Sequence, residues 1–518
     1  MLRLSAHNLD HSVPGLASAV AIVVSSVALY ALGTIVYNLF FSPLRHIPGP
    51  WLAAASGIPY ALHTRSGTIV QWMQELHAKY GEVVRVAPTE LSFISGETAY
   101  PDIYGFRTGK HKNTGAFLKD KNWYPPSLNG ASNIIPSNEA DHSRFRRNLS
   151  HAFSGQALRA QEPLIMGYVE LLIDRFLSHA EQGNEIDIMR WYNYATFDII
   201  ADLCFGEPLY CLRDSAAHQW VNLTFKSLKA VPTIAIRKQY ILFRMLDRVR
   251  DFFSDTQVDL NARKEFFGKA SERVSLRLEK ETDRPDFFTF ILKNQGKENR
   301  ALSRAEMDTN AFIFLIAGSE TTATTLSGAT YLLLRNPAVY ERLVTEIRSA
   351  FTSSKDINME AVDKLPYLIA VFQEGLRYYP PVPTGFPRVV PGQGQILSGH
   401  YVPGGTSVYV SQHAANHSPR NYTDPDEFVP ERWLEDERPA KYADDKREVT
   451  QPFSFGPRNC LGKNLAYAEM RLILAKVLWH FDIKLVHPEK EWMKGQKVFA
   501  LWDKGSLDVK LIPVKREA

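Results

Sequence analysis

From Ser12 to Leu44 the chain carries no Asp, Glu, Lys, Arg or His. A run of that kind cannot sit on the surface of an ordinary soluble domain, so it constrains the fold before anything else does. Its densest part, Leu16 to Phe41, is rich in Ala, Val, Leu and Ile. As a helix it would span roughly 39 Å, against a hydrocarbon core of about 30 Å. It is long enough to cross a bilayer with some tilt. Tyr30, Tyr37, Phe40 and Phe41 gather towards one end, as interfacial aromatics do, and Arg45 and His46 follow at once. A cleaved signal peptide has a shorter apolar core and a small-residue cleavage site. We therefore read residues 1–44 as an N-terminal segment holding one uncleaved transmembrane helix. Arg3 precedes the span, and Arg45 and Arg65 follow it, a mild bias towards a cytosolic body. Ile47-Pro48-Gly49-Pro50 is a stiff hinge that cannot continue a helix.

The remainder, 45–518, reads as one body without a clear linker or internal repeat. Lys plus Arg is 60 against 56 for Asp plus Glu, which gives no electrostatic reason to expect nucleic acid. Three cysteines, Cys204, Cys211 and Cys460, are too few for a disulfide scaffold, and no CxxC occurs. Sequons at Asn148, Asn222, Asn416 and Asn421 matter only for a lumenal body and are read as unused. The patterning predicts a helix over 68–80, strands over 82–86 and 91–94, a long loop over 105–137, and mostly helix from 141 to 251. Residues 267–300 are charged and expected to be exposed. Leu302 to Arg335 forms a long apolar helical pattern closed by Asn336-Pro337, expected in the core. Helices follow over 337–353 and 366–378, short strands over 379–412, turns over 413–450, and a last helix from just after Cys460 to about His480. The fold class is mainly α with a minor β-sheet region.

Phe453-Ser454-Phe455-Gly456-Pro457-Arg458-Asn459-Cys460-Leu461-Gly462 delivers one cysteine to a helix N-terminus, where amides and the macrodipole favour a thiolate. Gly456 permits a tight turn, Gly462 the close approach of a flat partner, and Arg458 offers a cation to an anionic group. A thiolate ligand to haem iron needs these features together. A cysteine taken alone is more often a buried hydrophobe; the residues around this one reverse that preference.

This stretch resembles the haem-binding signature of the cytochrome P450 family, with Phe453, Gly456, Arg458, Cys460 and Gly462 in place. The resemblance implies the cytochrome P450 fold, haem b as cofactor, Cys460 as axial ligand, Phe453 shielding the sulfur and Arg458 on a haem propionate. Other family marks follow in order. Glu374-Gly375-Leu376-Arg377 resembles the Glu-x-x-Arg helix, and Pro430-Glu431-Arg432-Trp433 supplies the arginine of a buried triad with a structural role. Ala317-Gly318-Ser319-Glu320-Thr321-Thr322 lies mid-way along the long helix, where polar groups are costly to bury. By the resemblance, Gly318 brings the helix close over the haem, while Thr321 and Glu320 supply protons. Locally, the same hydroxyls could simply bond back to helix carbonyls. Asp141 to Arg147 resembles the Trp-x-x-x-Arg helix, with Arg146 in the arginine place, which implies a propionate contact, and His142 where tryptophan is usual, its imidazole still able to donate to a propionate. Arg388 falls where the family often has another propionate-binding arginine. A basic solvated face is the bland reading of Arg146 and Arg388.

The resemblance covers about 45–512. It implies a membrane-anchored monooxygenase that uses O2 and electrons from a separate NADPH–cytochrome P450 reductase, with the body on the cytosolic side of the endoplasmic reticulum. Leu203 to Leu209 and His151 to Ser154 resemble fungal secondary-metabolism members near isotrichodermin hydroxylase, which implies a lipophilic terpenoid or polyketide intermediate. An O2-independent haem-thiolate isomerase or dehydratase, and a haem sensor, stay open as alternatives; the Glu320-Thr321 pair counts against both. His413-x-x-x-His417 and Gly392-Gln-Gly394 are too incomplete for a metal or dinucleotide site.

Overall fold

The computed structural model describes residues 12–515, except 110–114, 215–218, 254–257, 283, 285, 298 and 299. Arg3 therefore lies outside the described residues, as does part of the 105–137 loop. The charge-free run forms α1 (Ser12–Val36), continued by one π-helical turn, Tyr37–Phe41. An 18-residue window within Ser18–Phe41 has a mean hydropathy of 2.3, and none of it is buried in the protein.

The body begins with α2 (Trp51–Ser56) and α3 (Ile58–Ser66). A helix over Ile69–Tyr80 follows, ended by Gly81 at φ 98°. β1 (Val83–Ala87) and β2 (Glu90–Phe93) pair antiparallel. The expected loop over 105–137 contains one short strand, β3 (Leu118–Lys119). Next come α4 (Glu139–Leu149), a helix over Gly155–Glu181, α5 (Ile188–Phe205), α6 (Gln219–Gln239), α7 (Ile241–Phe253) and α8 (Val258–Glu279). The long helix, α9, spans Arg304–Arg335, and α10 spans Pro366–Tyr378. β4 (Arg388–Val389) and β5 (Ser407–Val410) complete a five-stranded sheet in the order β1-β2-β5-β4-β3. α11 (Lys463–His480) precedes a hairpin of β6 (Lys497–Phe499) and β7 (Leu501–Asp503). A three-stranded antiparallel sheet joins residues 185–187, 508–513 and 481–485.

α9 starts at a capping box. The Glu306 amide donates to Ser303 Oγ (3.2 Å), and the Ser303 amide donates to Glu306 Oε2 (2.8 Å). Its middle packs against α5, where a Cβ on Gly318 would come within 2.6 Å of Ile200. Helix packing alone therefore demands this glycine, a different reason from the haem approach expected above. Residues 267–300 are also less exposed than their charge suggests. Ala270, Val274, Phe287 and Phe288 are in the core, and Arg277 and Asp286 form a buried ion pair. The apolar positions recur at helical spacing and pack inward, while most of the charges, Glu272, Glu279, Lys280, Glu281, Lys293 and Lys297 among them, face water as expected.

The Glu374 motif is a closed knot. On α10, Arg377 donates to both Glu374 oxygens (2.8 Å each) and to the carbonyls of Asn416, Pro425 and Glu427. Arg432 reaches Glu374 Oε1 (3.2 Å) and Asp445 Oδ2 (2.5 Å), and Trp433 Nε1 donates to Glu374 Oε2 (2.8 Å). Burial raises the pKa of Glu374, but Arg377 and Arg432 outweigh it and hold the carboxyl below its ordinary value. Asp445, in the turn-rich stretch, is the fourth member, which the motif did not reveal.

Candidate functional site

Phe453 to Cys460 folds as a loop pinned at its ends. The Cys460 amide donates to the Phe453 carbonyl (2.8 Å), and a 3-10 turn, Gly456–Arg458, lies between. Gly456 has φ +74°, and a Cβ there would lie 2.0 Å from the Tyr104 carbonyl oxygen. Both facts require glycine. Cys460 stands just before α11, open to solvent on one side. Protein encloses the remainder, and that burial pushes the thiol pKa up. The Gly462 amide and the Arg146 and Lys463 cations pull the other way. A metal cation at the open side would complete the preference for thiolate. At Gly462, an added Cβ would meet only Phe153, at 3.8 Å, so no contact within the protein demands glycine there. Phe453 is half-buried against Tyr467, ring centroids 5.0 Å apart.

Arg146, on α4, braces this loop. Its Nη1 donates to the Asn459 carbonyl (2.7 Å) and its Nη2 to Asn459 Oδ1 (2.6 Å). Arg458 Nη1 donates to the Ser137 carbonyl (2.7 Å), and its Nη2 lies 3.4 Å from the exposed Glu139. Arg388 is 3% exposed, and its Nε has no hydrogen-bond partner. Lys119 sits directly opposite Arg388 in the β3–β4 register. Like charges placed so destabilise a strand pair. Lys119 Nζ donates to the Tyr124 hydroxyl (3.0 Å). Burial, then Arg388 and Arg458, hold its pKa well below the usual lysine range. His142 feels the whole group. Burial first, then Arg458, Arg146, Lys119 and Arg388, lower its pKa to about 4.

Four cations thus converge on a neutral imidazole. Among the described residues, Glu139 is the one carboxylate in salt-bridge contact with any of them. An anion with at least two charges is what the arrangement lacks. The residues fit haem: its two propionates would bring those charges, and its iron would take a cysteine thiolate. Lys119 was invisible in the sequence because its two-residue strand lies in a stretch that reads as coil.

On α9, Ala317 is exposed, and its neighbours Ile316 and Gly318 and, one turn on, Thr321 are half-buried, while Ser319, Glu320 and Thr322 are buried. One face of the helix therefore opens on a cavity at this point. Thr321 Oγ1 donates to the Ala317 carbonyl (2.7 Å). That bond uses the hydroxyl hydrogen and leaves the oxygen free to accept. Glu320 turns into the protein, completely buried, and pairs with Lys504 from the segment after β7. Thr324 Oγ1 also donates to Glu320 Oε1 (3.2 Å), and Oε2 has no partner. Burial raises the Glu320 pKa, and Lys504 and Thr324 oppose the shift. The structure thus separates the two neighbours: Thr321 towards the cavity, Glu320 towards Lys504. A second acid lies nearby. Glu469 on α11 is 1% exposed, and neither oxygen has a well-formed hydrogen bond. Burial pushes its carboxyl pKa well above the ordinary value, with the Thr322 hydroxyl opposing. Neither Lys504 nor Glu469 carries a local signal in the sequence.

The Cytochrome P450 family profile matches residues 48–510. Cytochrome P450 monooxygenase traB of Penicillium crustosum is 50% identical over 486 residues, covering 93% of this chain and 94% of that protein. Cytochrome P450 monooxygenase lcsI of Purpureocillium lilacinum is 44% identical over 490 residues, covering 94% and 93%. Averantin hydroxylase of Dothistroma septosporum is 43% identical over 494 residues, covering 95% and 90%. The chain belongs to the cytochrome P450 family. It is an enzyme of the haem-thiolate monooxygenase kind, whose iron is bound through a cysteine thiolate.

Proposed function

We propose that Cys460 supplies the axial thiolate and that Lys119, His142, Arg388 and Arg458 receive the haem propionates. We further propose that the enzyme hydroxylates or otherwise oxidises a lipophilic intermediate of fungal secondary metabolism. The observation that carries the reading is the cation cluster beside the cysteine loop, with Arg388 buried and its Nε unpartnered. When bound, the haem activates dioxygen and inserts one oxygen atom into a C–H bond while the other leaves as water.

The chain does the rest. Arg146 fixes Asn459, and through it the cysteine loop. His142 stays neutral and donates one N–H to a carboxylate. Phe453 shields the sulfur, and Gly462 leaves room for a flat ring. Thr321 holds a proton-bearing water at its free oxygen lone pairs. Glu320 resupplies the proton, which requires its carboxylate to leave Lys504. An apolar slot of about 40 Å³ lined by Met73, Val231, Pro232, Tyr409 and Val498 would have to widen to take a lipophilic substrate. The relatives' names support a secondary-metabolite substrate, one of them being a hydroxylase. Electrons come from NADPH–cytochrome P450 reductase, and α1 holds the body on the cytosolic face of the endoplasmic reticulum.

The test is turnover by the purified protein with reductase, using the compound that accumulates in a deletion strain. Product should require both O2 and NADPH. The Lys504–Glu320 pair favours one other reading, an oxygen-independent isomerase or dehydratase, because it occupies the expected proton donor. Product formed without O2 or NADPH would decide for that reading and against ours.

A further inference from the structure

Lys504 makes contacts in two directions. One holds Glu320. The fully buried Lys504 side chain pairs with the Glu320 carboxylate, also fully buried, and donates to Thr324 Oγ1 (2.7 Å), both on α9. The other faces α6. Lys504 Nζ lies 5.4 Å from the centre of the Phe225 ring, a cation–π contact. The preceding residue, Asp503, pairs with Lys229 of α6 (3.0 Å). A displacement of α6 therefore acts on Lys504 through both residues.

α6 also supplies part of the slot wall, through Val231, Pro232 and Ala235, and the β6–β7 hairpin supplies another part, through Val498 and Ala500. The slot, about 40 Å³, has room for a few waters at most, so a larger occupant must part these walls. The hairpin is fastened elsewhere. The Val498 amide donates to the Gly67 carbonyl (2.8 Å), and Trp502 Nε1 to the Pro380 carbonyl (2.8 Å). α6, in contrast, carries Pro232 in its interior, at the slot. Proline has no N–H for the Leu228 carbonyl, and helices bend at such places. α6 is thus the wall that can yield. Residues 503 and 504 lie between the fastened Trp502 and Gly505, a glycine with open space beside it. They can follow α6 without unfastening the hairpin.

We propose that Lys504 is a positioning residue that keeps Glu320 ion-paired while the slot is empty, and that an occupant of the slot, by moving α6, draws Lys504 away and frees Glu320 to serve Thr321. This rests on reading the slot as the substrate's way in and Glu320 as a proton source. An ion-paired carboxylate has no proton to give. Once Lys504 has left, burial among the α9 neighbours favours the protonated carboxylic acid, because an unpaired charge is costly there. Glu320 takes that proton from solvent and passes it to the water held at Thr321. Proton supply thereby waits for the substrate.

The test is infrared spectroscopy of the full-length holoprotein without NADPH, using the compound that accumulates in the deletion strain. The readout is the carbonyl band of a protonated carboxylic acid, assigned to Glu320 by its loss in Glu320→Gln. Adding the compound to wild type should produce that band. Lys504→Met should show it before any compound is added, and the compound should then add little. Lys504→Arg, which keeps the charge, should respond as wild type does. Absence of the band in Lys504→Met would mean that Lys504 does not hold Glu320 ionised, and overturns the proposal. A band in Lys504→Met without any response to bound compound in wild type overturns the link to the slot and leaves the substrate reading standing. Calorimetry follows binding separately. A compound that does not bind overturns the substrate reading, and the link with it, while the band in Lys504→Met still decides what Lys504 does to Glu320.

Discussion

The chain buries two clusters of charge, and they are built on opposite plans. Around Glu374, every charge has a partner: Arg377, Arg432 and Asp445 close on one another and on backbone carbonyls. Around His142, four cations meet and one exposed carboxylate touches them. The first cluster is complete within the protein and locks the chain between α10 and the turns that follow. The second is incomplete, and on the reading proposed above it takes a ligand with at least two negative charges beside the cysteine. A closed charge network marks structure, and an open one marks a binding site.

Breaking the closed cluster should have the largest effect. Glu374→Gln leaves two buried guanidinium groups without their shared carboxylate, at a cost of about 3–5 kcal/mol. Urea unfolding should show that loss with and without haem, since the network does not depend on the cofactor. A loss confined to the holoprotein would merge the two clusters into one. The open cluster should answer with opposite signs. Arg388→Met or Lys119→Met removes a cation that nothing in the apoprotein neutralises. Each should raise the apoprotein melting temperature by about 2 °C and speed haem transfer to apomyoglobin about 10-fold. A fall in apoprotein stability would mean that the cations already have partners there.

His142 sharpens the contrast through pH. Its folded pKa, about 4, lies below the ordinary 6.5, so the unfolded chain binds the extra proton between those values. Its contribution is therefore present above pH 6.5 and is lost as pH falls towards 4. His142→Gln should flatten that part of the apoprotein's stability curve. Haem propionates offset the cations and should flatten it in the wild type as well. Glu469 gives the smallest effect, with the reverse sign. Its folded pKa lies well above the ordinary 4.5, so its contribution is intact below that value and declines as pH rises. Glu469→Gln keeps the neutral shape without that loss, so it should lie closest to wild type near pH 4.5. Its advantage over wild type should grow towards alkaline pH; a constant difference would mean that Glu469 is ionised in the fold.

What could be read from the sequence was local. The turn at Gly456, the cysteine before α11, the i and i+3 spacing of Glu374 and Arg377, and the apolar length of α9 all lie within a few turns of chain. What could not be read depends on distant segments meeting. Lys119 gains meaning only when β3 pairs with β4. Asp445 lies 71 positions after Glu374, and Lys504 lies 184 after Glu320. Gly318 was legible as a special residue, but the side chain that needs its missing Cβ, Ile200, is on another helix. Residues 267–300 were legible in part: most of their charges do face water, but Arg277 and Asp286 neutralise each other out of it.

The account stands on Cys460 as the iron's ligand inside the open cluster. The direct measurement is the reduced, carbon monoxide-bound absorption spectrum of wild type beside Cys460→His. The wild type should show the red-shifted band of thiolate-ligated haem, and the variant should bind haem while losing that band. A variant that keeps the band would contradict the assignment, because a ligand other than Cys460 would then hold the iron.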